Sequence, residues 1–315
     1  MARFLLRRLL LAGVATGSLV VLGGHRPGVQ PSALAQTAPS SAQPRIQLAQ
    51  ADSTPNPAAA EAALNQGLML IQRGQAEQAQ AQFEQAIALD PTMAAAHYNL
   101  GLLFRQQGKL QEAASSFWQA VRADPQFAMA YANLAGALIE GGNLDQAEAY
   151  LRRALQIQPD LGNAHYNLGM VLQGQGRLDD ALAAFALAGQ YSPQAPESHF
   201  QRGIIYLQRQ QYQDAETALQ QALAIQPQYP QAHYNLGLAR FNQGQVEEAL
   251  ESFRRATQIN GSYADAYFSA GLAFIQLGRY EEARTVMEFA RNLYLTMGQS
   301  NWAVLAQNHL SRLPN

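Results

Sequence analysis

Residues 94–127 read AAAHYNLGLLFRQQGKLQEAASSFWQAVRADPQF, and this pattern of glycine, alanine, phenylalanine and proline returns along most of the chain. Prolines stand at a constant interval of 34 residues, at positions 57, 91, 125, 159, 193 and 227. Self-similarity at a fixed period of about 20 to 50 residues is typical of arrays in which each unit buries its apolar face against its neighbours. The sequence therefore predicts a repeat protein.

Seven units follow when Pro91 is given the thirty-second position of its unit. They cover residues 60–93, 94–127, 128–161, 162–195, 196–229, 230–263 and 264–297. Positions 20 and 27 are alanine in every unit, and position 8 is always glycine or alanine. Position 24 is always large and apolar, as in Phe117 and Phe185. Because protein interiors are close-packed, small residues opposite large ones predict two helices in tight contact.

Each unit is predicted to fold as a helical hairpin. The first helix covers about 14 positions, a glycine marks the turn, and the second helix runs to the proline, because glycine favours helix C-termini and proline cannot continue a helix. The turn glycines are Gly74, Gly108, Gly142, Gly176, Gly244 and Gly278. The apolar residues that follow residue 297 predict a capping helix within 298–315; they are Trp302, Leu305, Leu310 and Leu313.

This pattern of an aromatic residue, Leu-Gly, a second aromatic residue, alanine, phenylalanine, alanine and proline resembles the tetratricopeptide repeat family over residues 60–297. The array is similar in particular to the superhelical repeat region of O-GlcNAc transferase, without its catalytic domain. The resemblance implies an all-α fold, a right-handed α-solenoid of seven hairpins whose first helices line a concave inner wall. Arg240 departs from the pattern, because an apolar residue is usual at its position.

The first 35 residues are predicted to be a signal peptide. Three arginines precede the uncharged stretch 9–22, and Ala33-Leu34-Ala35 supplies a cleavage pattern. Because a membrane-spanning helix needs about 20 apolar residues, we expect cleavage after Ala35. An uncleaved signal anchor and a twin-arginine signal built on Arg7-Arg8 are the alternatives. The sequence therefore predicts export, to a bacterial periplasm or an equivalent lumen.

Composition narrows the class of partner. Residues 36–59 are rich in Ala, Gln, Ser, Thr and Pro, which predicts a disordered tether. Four arginines precede Gln36, so the 21 basic residues of the chain less these four leave 17 against 23 acidic residues, a net charge of −6. This acidity disfavours nucleic acid and anionic membrane surfaces. We expect a protein or peptide partner, and no membrane insertion after cleavage.

Motifs for catalysis or cofactor binding are absent from the sequence. The hairpins and the cap occupy residues 60–315, no phosphate-binding loop, HExxH motif or nucleophile elbow occurs, and the chain has no cysteine. Histidine recurs at position 4, but equivalent helices about 8 to 10 Å apart keep such rings too distant to share zinc. These packing residues are His97, His165, His199 and His233. We expect no enzyme activity, no cofactor and no metal.

Position 6 carries a carboxamide in six of the seven units. These residues are Asn65, Asn99, Asn133, Asn167, Gln201 and Asn235. A carboxamide has two donors and an acceptor, so a row of them can pair with the backbone of an extended peptide without regard to its side chains. An asparagine row at the matching position has this role in the O-GlcNAc transferase array. The alternative is that the amides bond only a neighbouring helix or water.

Aromatic residues provide further candidate contacts. Tyr98, Tyr166 and Tyr234 stand beside every second carboxamide, either as flat surfaces for a peptide or as the product of a duplicated two-unit block. Trp118 takes a position that is polar or small in the other units, and is either an outer-face contact or a scattered surface aromatic. Positions 9 and 13 carry no lysine or arginine, so a clamp for a terminal carboxylate is not expected.

Together these features predict an exported, non-enzymatic scaffold that binds an extended polypeptide in a concave groove. The alternative is an accessory subunit that presents polypeptide or envelope polymer to a separately encoded envelope enzyme. Stable co-purification with an enzyme would favour the alternative.

Overall fold

The computed structural model describes residues 56–314. Over this range the chain forms fifteen α-helices and no strand. These residues divide into two compact bodies, 56–143 and 144–314, called the N-terminal body and the C-terminal body below. The predicted signal peptide, residues 1–35, and most of the predicted tether, residues 36–59, lie outside the described residues.

The N-terminal body contains five helices. They are α1 (Pro57–Gln72), α2 (Ala76–Leu89), α3 (Ala94–Gln106), α4 (Leu110–Ala123) and α5 (Ala128–Glu140). Helices α1 and α2 pack as one hairpin, and α3 and α4 pack as the next. Helix α1 begins three residues before the predicted first unit, because Pro57 suits the first helical turn and the Asn56 side chain caps it, accepting a hydrogen bond from the Ala59 N–H at 3.1 Å.

The C-terminal body contains ten helices. They are α6 (Leu144–Ile157), α7 (Gly162–Gly174), α8 (Leu178–Tyr191), α9 (Glu197–Gln208), α10 (Tyr212–Ile225), α11 (Pro230–Asn242), α12 (Val246–Ile259), α13 (Ala264–Gln276), α14 (Tyr280–Thr296) and α15 (Ser300–Leu310). Four hairpins pair α7 with α8, α9 with α10, α11 with α12 and α13 with α14. Helix α15 packs Ala303, Ala306 and Leu310 against a cluster that includes Phe268 and Tyr294.

The turn inside each hairpin depends on one left-handed residue. Gly108 has φ 75°, and its N–H and that of Lys109 donate to carbonyls of the last turn of α3 at 3.0 and 2.9 Å. Helix-end carbonyls are thereby satisfied. The other predicted turn glycines have φ between 72° and 83°, which confirms their role. Where residues 196–229 lack this glycine, Gln210 adopts φ 61° instead.

Side chains also fix the loops between hairpins. The Asp124 carboxylate accepts a hydrogen bond from the Gln126 N–H at 2.8 Å, which closes the turn after α4. Three of the position-4 histidines donate from Nε2 to the carbonyl of the proline six residues earlier. The pairs are His97 with Pro91 at 2.9 Å, His165 with Pro159 at 2.8 Å and His233 with Pro227 at 3.0 Å. These histidine rings therefore hold the loops in place by hydrogen bonds, in addition to their role in packing.

The predicted contact between small and large residues is confirmed inside the hairpins. A Cβ atom added to Gly101 would lie 2.7 Å from the Phe117 ring, and one added to Gly169 would lie 2.6 Å from the Phe185 ring. Both phenylalanines are fully buried. Glycine at position 8 therefore allows the two helices of a hairpin to approach until ring meets backbone.

Ion pairs join α6 and the neighbouring hairpins of the C-terminal body near their turns. Arg177 pairs with Glu148 at 2.9 Å, and Arg209 pairs with Asp179 at 2.6 Å. Hydrogen bonds from Arg152 and Arg177 lower the pKa of Glu148 to about 2. Each pair has one exposed partner, Arg177 in the first and Asp179 in the second, so solvent screens both pairs and each contributes little to stability on its own.

Candidate functional site

Positions 6, 9 and 13 of each first helix lie on one face, because offsets of three and four residues match the helical period. Positions 2, 5 and 12 flank them on the same side. We call this side of the first helices the ladder face. It is carried by α1, α3 and α5 in the N-terminal body and by α7, α9, α11 and α13 in the C-terminal body.

In the N-terminal body, two position-6 amides donate to the backbone of their own helix. Asn99 Nδ2 lies 2.8 Å from the carbonyl oxygen four residues earlier, and Asn133 Nδ2 makes the same bond at 2.9 Å. Asn133 Nδ2 also donates to the Tyr98 hydroxyl at 3.2 Å. Asn65 is exposed on α1.

The C-terminal body repeats this arrangement. Asn235 Nδ2 donates to the carbonyl four residues earlier at 2.7 Å. Asn167 and Gln201 are half-buried, and the Gln201 amide partly opposes the rise that burial causes in the pKa of Tyr166. Part of the alternative foreseen from the sequence is therefore present, since several amides do bond the protein itself.

The hydrogen bond to the helix determines which atoms of each position-6 amide stay available for another partner. A backbone carbonyl only accepts, so the NH₂ end must face the helix and Oδ1 must face away from that bond. The Oδ1 atoms of Asn99 and Asn235 accept no hydrogen bond from the residues that the structure describes. Each of these amides thus keeps an acceptor and one N–H, whereas both N–H groups of Asn133 are used.

The three predicted tyrosines differ in exposure. Tyr98 is half-buried between Phe117 and Phe127, with ring centroids 5.8 and 4.8 Å away. Tyr166 is half-buried as well. Burial raises the pKa of both hydroxyls. Tyr234 is only 3 % exposed, so its ring belongs to the core and has little surface left for a peptide.

Arg105 is the ladder-face residue that sequence reasoning missed. From position 12 of α3 it reaches α5, where its Nε and one terminal nitrogen donate to Glu140 Oε1 at 2.9 and 2.7 Å. The other terminal nitrogen donates to Asn133 Oδ1 at 3.4 Å. The arginine crosses α5 at Gly136, which occupies a position where six units have leucine, isoleucine or methionine. That glycine was the available signal.

Apolar side chains complete the exposed surface of the N-terminal body. Leu68, Ile71 and Leu102 are 37 to 38 % exposed at positions 9 and 12 of α1 and position 9 of α3. Trp118, the predicted outer-face contact, lies on α4 and is 43 % exposed. The ladder face of this body therefore offers apolar contact beside its polar groups.

A half-buried carboxyl group lies at position 2 of α13 in the C-terminal body. Asp265 accepts a hydrogen bond from the Tyr294 hydroxyl at 2.7 Å. Burial raises the pKa of Asp265, and the hydrogen bond from Tyr294 opposes that rise. The pKa values of Tyr234 and Tyr263 are also raised, chiefly by burial and further by the charge of Asp265.

Comparison with family models places these features in a known class. A model described as the cilia and flagella-associated protein 70 C-terminal domain matches residues 29–272, and a model of the tetratricopeptide repeat matches residues 264–289. The first match covers well over half of the chain. The chain belongs to the tetratricopeptide repeat family.

Solved tetratricopeptide repeat structures share the fold. YrrB, described as a TPR protein with an unusual peptide-binding site, is 23% identical at a TM-score of 0.54, over 62% of this chain and 99% of its own. PilW, a type IV pilus biogenesis factor, is 23% identical with a TM-score of 0.59, and the match covers 68% of this chain and 98% of PilW. A tetratricopeptide repeat protein from Parabacteroides merdae is 18% identical with a TM-score of 0.57, and the match covers 79% of this chain and 99% of that protein. No curated protein sequence matches the chain.

Two further properties hold for the tetratricopeptide repeat helices of residues 56–314. Within that range no three His, Cys, Asp or Glu residues are grouped closely enough to hold a metal ion. None of the helices described there combines the length and the apolar character of a membrane span.

Proposed function

We propose that this protein is an exported, non-enzymatic scaffold that binds an extended polypeptide along the ladder face of its first helices. The observation that carries the proposal is the pre-set orientation of the position-6 amides. Asn99 and Asn235 each donate one N–H to a backbone carbonyl of their own helix, which leaves Oδ1 and the second N–H available for a ligand. A side chain held in one orientation loses less conformational entropy on binding than a free one.

Chemistry favours the peptide backbone as the group that is recognised. The free Oδ1 accepts from a backbone N–H, and the remaining amide N–H donates to a backbone C=O, so one carboxamide can serve both groups of an extended residue. Exposed Leu68 and Leu102 supply apolar contact in the N-terminal body. Tetratricopeptide repeat relatives support the class of function, since the description of YrrB names a peptide-binding site.

The C-terminal body allows a direct test. Residues 36–315 are immobilised, binders are selected from a random peptide library, and the dissociation constant of the best peptide is measured by calorimetry. The variant Asn167→Ala, Gln201→Ala, Asn235→Ala removes three amides at helical positions that favour alanine. Because each contact contributes a net of about 0.5 to 1.5 kcal/mol, binding should weaken by a factor of about 10 to 1,000.

Thr217→Ala is the matched control. Thr217 Oγ1 also donates to the carbonyl four residues earlier, at 3.0 Å, but it lies on α10, a second helix. Its variant should bind as the wild type does. Peptides with N-methyl groups at successive positions should lose affinity where a backbone N–H is read. If the triple variant binds normally and unfolds earlier, the amides serve the fold and the proposal is wrong.

Export forms part of the proposal and has its own test. The charged start, the uncharged stretch 9–22 and Ala33-Leu34-Ala35 occur in the order of a signal peptide. We expect N-terminal sequencing of the protein from an expressing bacterium to begin at Gln36, in the soluble envelope fraction. Recovery of Met1 or Ala2 in the membrane pellet would replace cleavage by anchoring.

A further inference from the structure

The guanidinium of Arg105 is held along its edge. Nε and one terminal nitrogen both donate to Glu140 Oε1, at 2.9 and 2.7 Å, and the other terminal nitrogen donates to Asn133 Oδ1 at 3.4 Å. These acceptors lie near the plane of the group, since guanidinium N–H bonds point outward in that plane. The N–H groups along the edge of the guanidinium therefore already donate hydrogen bonds to residues of α5.

One face of the same guanidinium lies against α5. A Cβ atom built on Gly136 would lie 3.7 Å from Cζ, 3.7 Å from one terminal nitrogen and 3.8 Å from the other. A point nearly equidistant from three atoms of a planar group lies above its plane. The guanidinium therefore rests flat over the glycine, where a leucine or methionine side chain would prevent it.

The opposite face points away from α5. The Arg105 side chain remains 38 % exposed although its edge is bonded and one face is covered. Leu102, one turn earlier on α3, is 37 % exposed. A flat cationic surface with an apolar neighbour thus lies on the ladder face of the N-terminal body.

We propose that the uncovered face of Arg105 stacks against an aromatic side chain of the bound polypeptide and makes the N-terminal body selective for Phe, Tyr or Trp. The inference rests on the proposed peptide-binding function and specifies the side chain read at one point. Planar guanidinium groups stack on aromatic rings, where the delocalised cation meets the negative face of the ring. Leu102 contacts the ring from the side.

An acidic side chain is a poorer fit. Glu140 is 13 % exposed and already occupies the edge of the guanidinium that a carboxylate would use. A ligand carboxylate would have to displace Glu140 or lie beside it, and two carboxylates close together repel each other. Stacking leaves the ion pair intact, so it has no such cost.

Small probes test the site directly, whatever the natural partner is. The probes are N-acetylphenylalaninamide, its cyclohexylalanine analogue, which has a similar size but no π-system, and N-acetylglutamic acid amide. The readout is the Arg105 Nε–Hε signal in ¹H–¹⁵N spectra of residues 36–315, assigned by its loss in Arg105→Gln. We expect the phenylalanine probe to move this signal upfield by ring current and to bind about two- to five-fold more tightly than the cyclohexyl probe.

Two variants provide the controls. Gly136→Leu restores the large side chain found at this position in other units and should abolish the preference for the phenylalanine probe. Glu140→Gln frees the cation and should increase binding of the glutamic acid probe. The proposal is wrong if the cyclohexyl probe binds equally well, or if the glutamic acid probe binds best to the wild type. Either result leaves the amide test in the C-terminal body unaffected, so the two proposals fail separately.

Discussion

Asp265 is a carboxyl group whose ionisation works against the fold. Burial raises its pKa above the ordinary value of 3.8 even though Tyr294 donates a hydrogen bond to it. A raised folded-state pKa means that the folded protein holds the proton more tightly than the unfolded chain does. Stability from this group is present below the unfolded pKa and is lost as pH rises through the folded pKa.

The variant Asp265→Asn isolates this effect. Asparagine keeps an oxygen that accepts from Tyr294 but does not ionise. We expect the variant to gain stability relative to the wild type between pH 3 and pH 7, measured by urea unfolding at each pH. Glu148 has a lowered pKa, so its contribution to stability changes with pH in the opposite direction. Both proteins contain Glu148, and its effect therefore cancels in the difference between them. A constant difference across this range would show that Asp265 does not titrate differently in the fold.

At the scale of elements, the contact between α8 and α9 departs from the repeat pattern. Position 7 holds a buried leucine in four units: Leu100, Leu134, Leu168 and Leu236. Helix α9 has Arg202 there, and its buried Nε has no partner among the described residues. Ser198 is 2 % exposed with an unpartnered Oγ, and Gly189 on α8 lies directly opposite it. Buried donors without acceptors weaken this contact.

Arg202→Leu should therefore stabilise the protein. It removes an unsatisfied buried donor and restores apolar burial, a gain of about 1 to 3 kcal/mol in the free energy of unfolding. The pKa of His199, lowered by burial and by the nearby Arg202 charge, should rise in the same variant. Urea unfolding and NMR titration measure the two effects. Arg122→Leu, at an exposed site on α4, should change stability by less than about 0.5 kcal/mol, and an equal effect there would contradict the explanation.

At the scale of the whole molecule, tetratricopeptide repeats are expected to respond locally to damage, because each hairpin contacts only its neighbours. Gly169→Leu forces a side chain into the Phe185 ring, since a Cβ atom alone would lie 2.6 Å from it. The cost should be about 1 to 3 kcal/mol. Hydrogen exchange should lose protection in α7, α8 and the helices packed on them. The double variant Gly169→Leu, Phe185→Ala should recover part of the lost stability. A uniform loss of exchange protection over the C-terminal body would contradict a local response.

The sequence by itself determined the hairpins, the turn glycines and the contact between position 8 and position 24. These features are local or lie between adjacent helices of one unit, so a period of 34 residues repeats the same physical solution many times. The amide row was also visible, because its residue type recurs at one position. Peptide binding at these residues stays a proposal.

Only the tertiary structure decided what individual side chains of the ladder face do. The Asn99 amide is oriented by its own helix, Tyr234 is buried, and Arg105 lies flat over Gly136. Arg105 meets partners 28 to 35 residues away, on the next first helix. The exposure and bonding of such residues depend on the neighbouring hairpin, whose side chains differ from unit to unit, so the repeat pattern does not specify them.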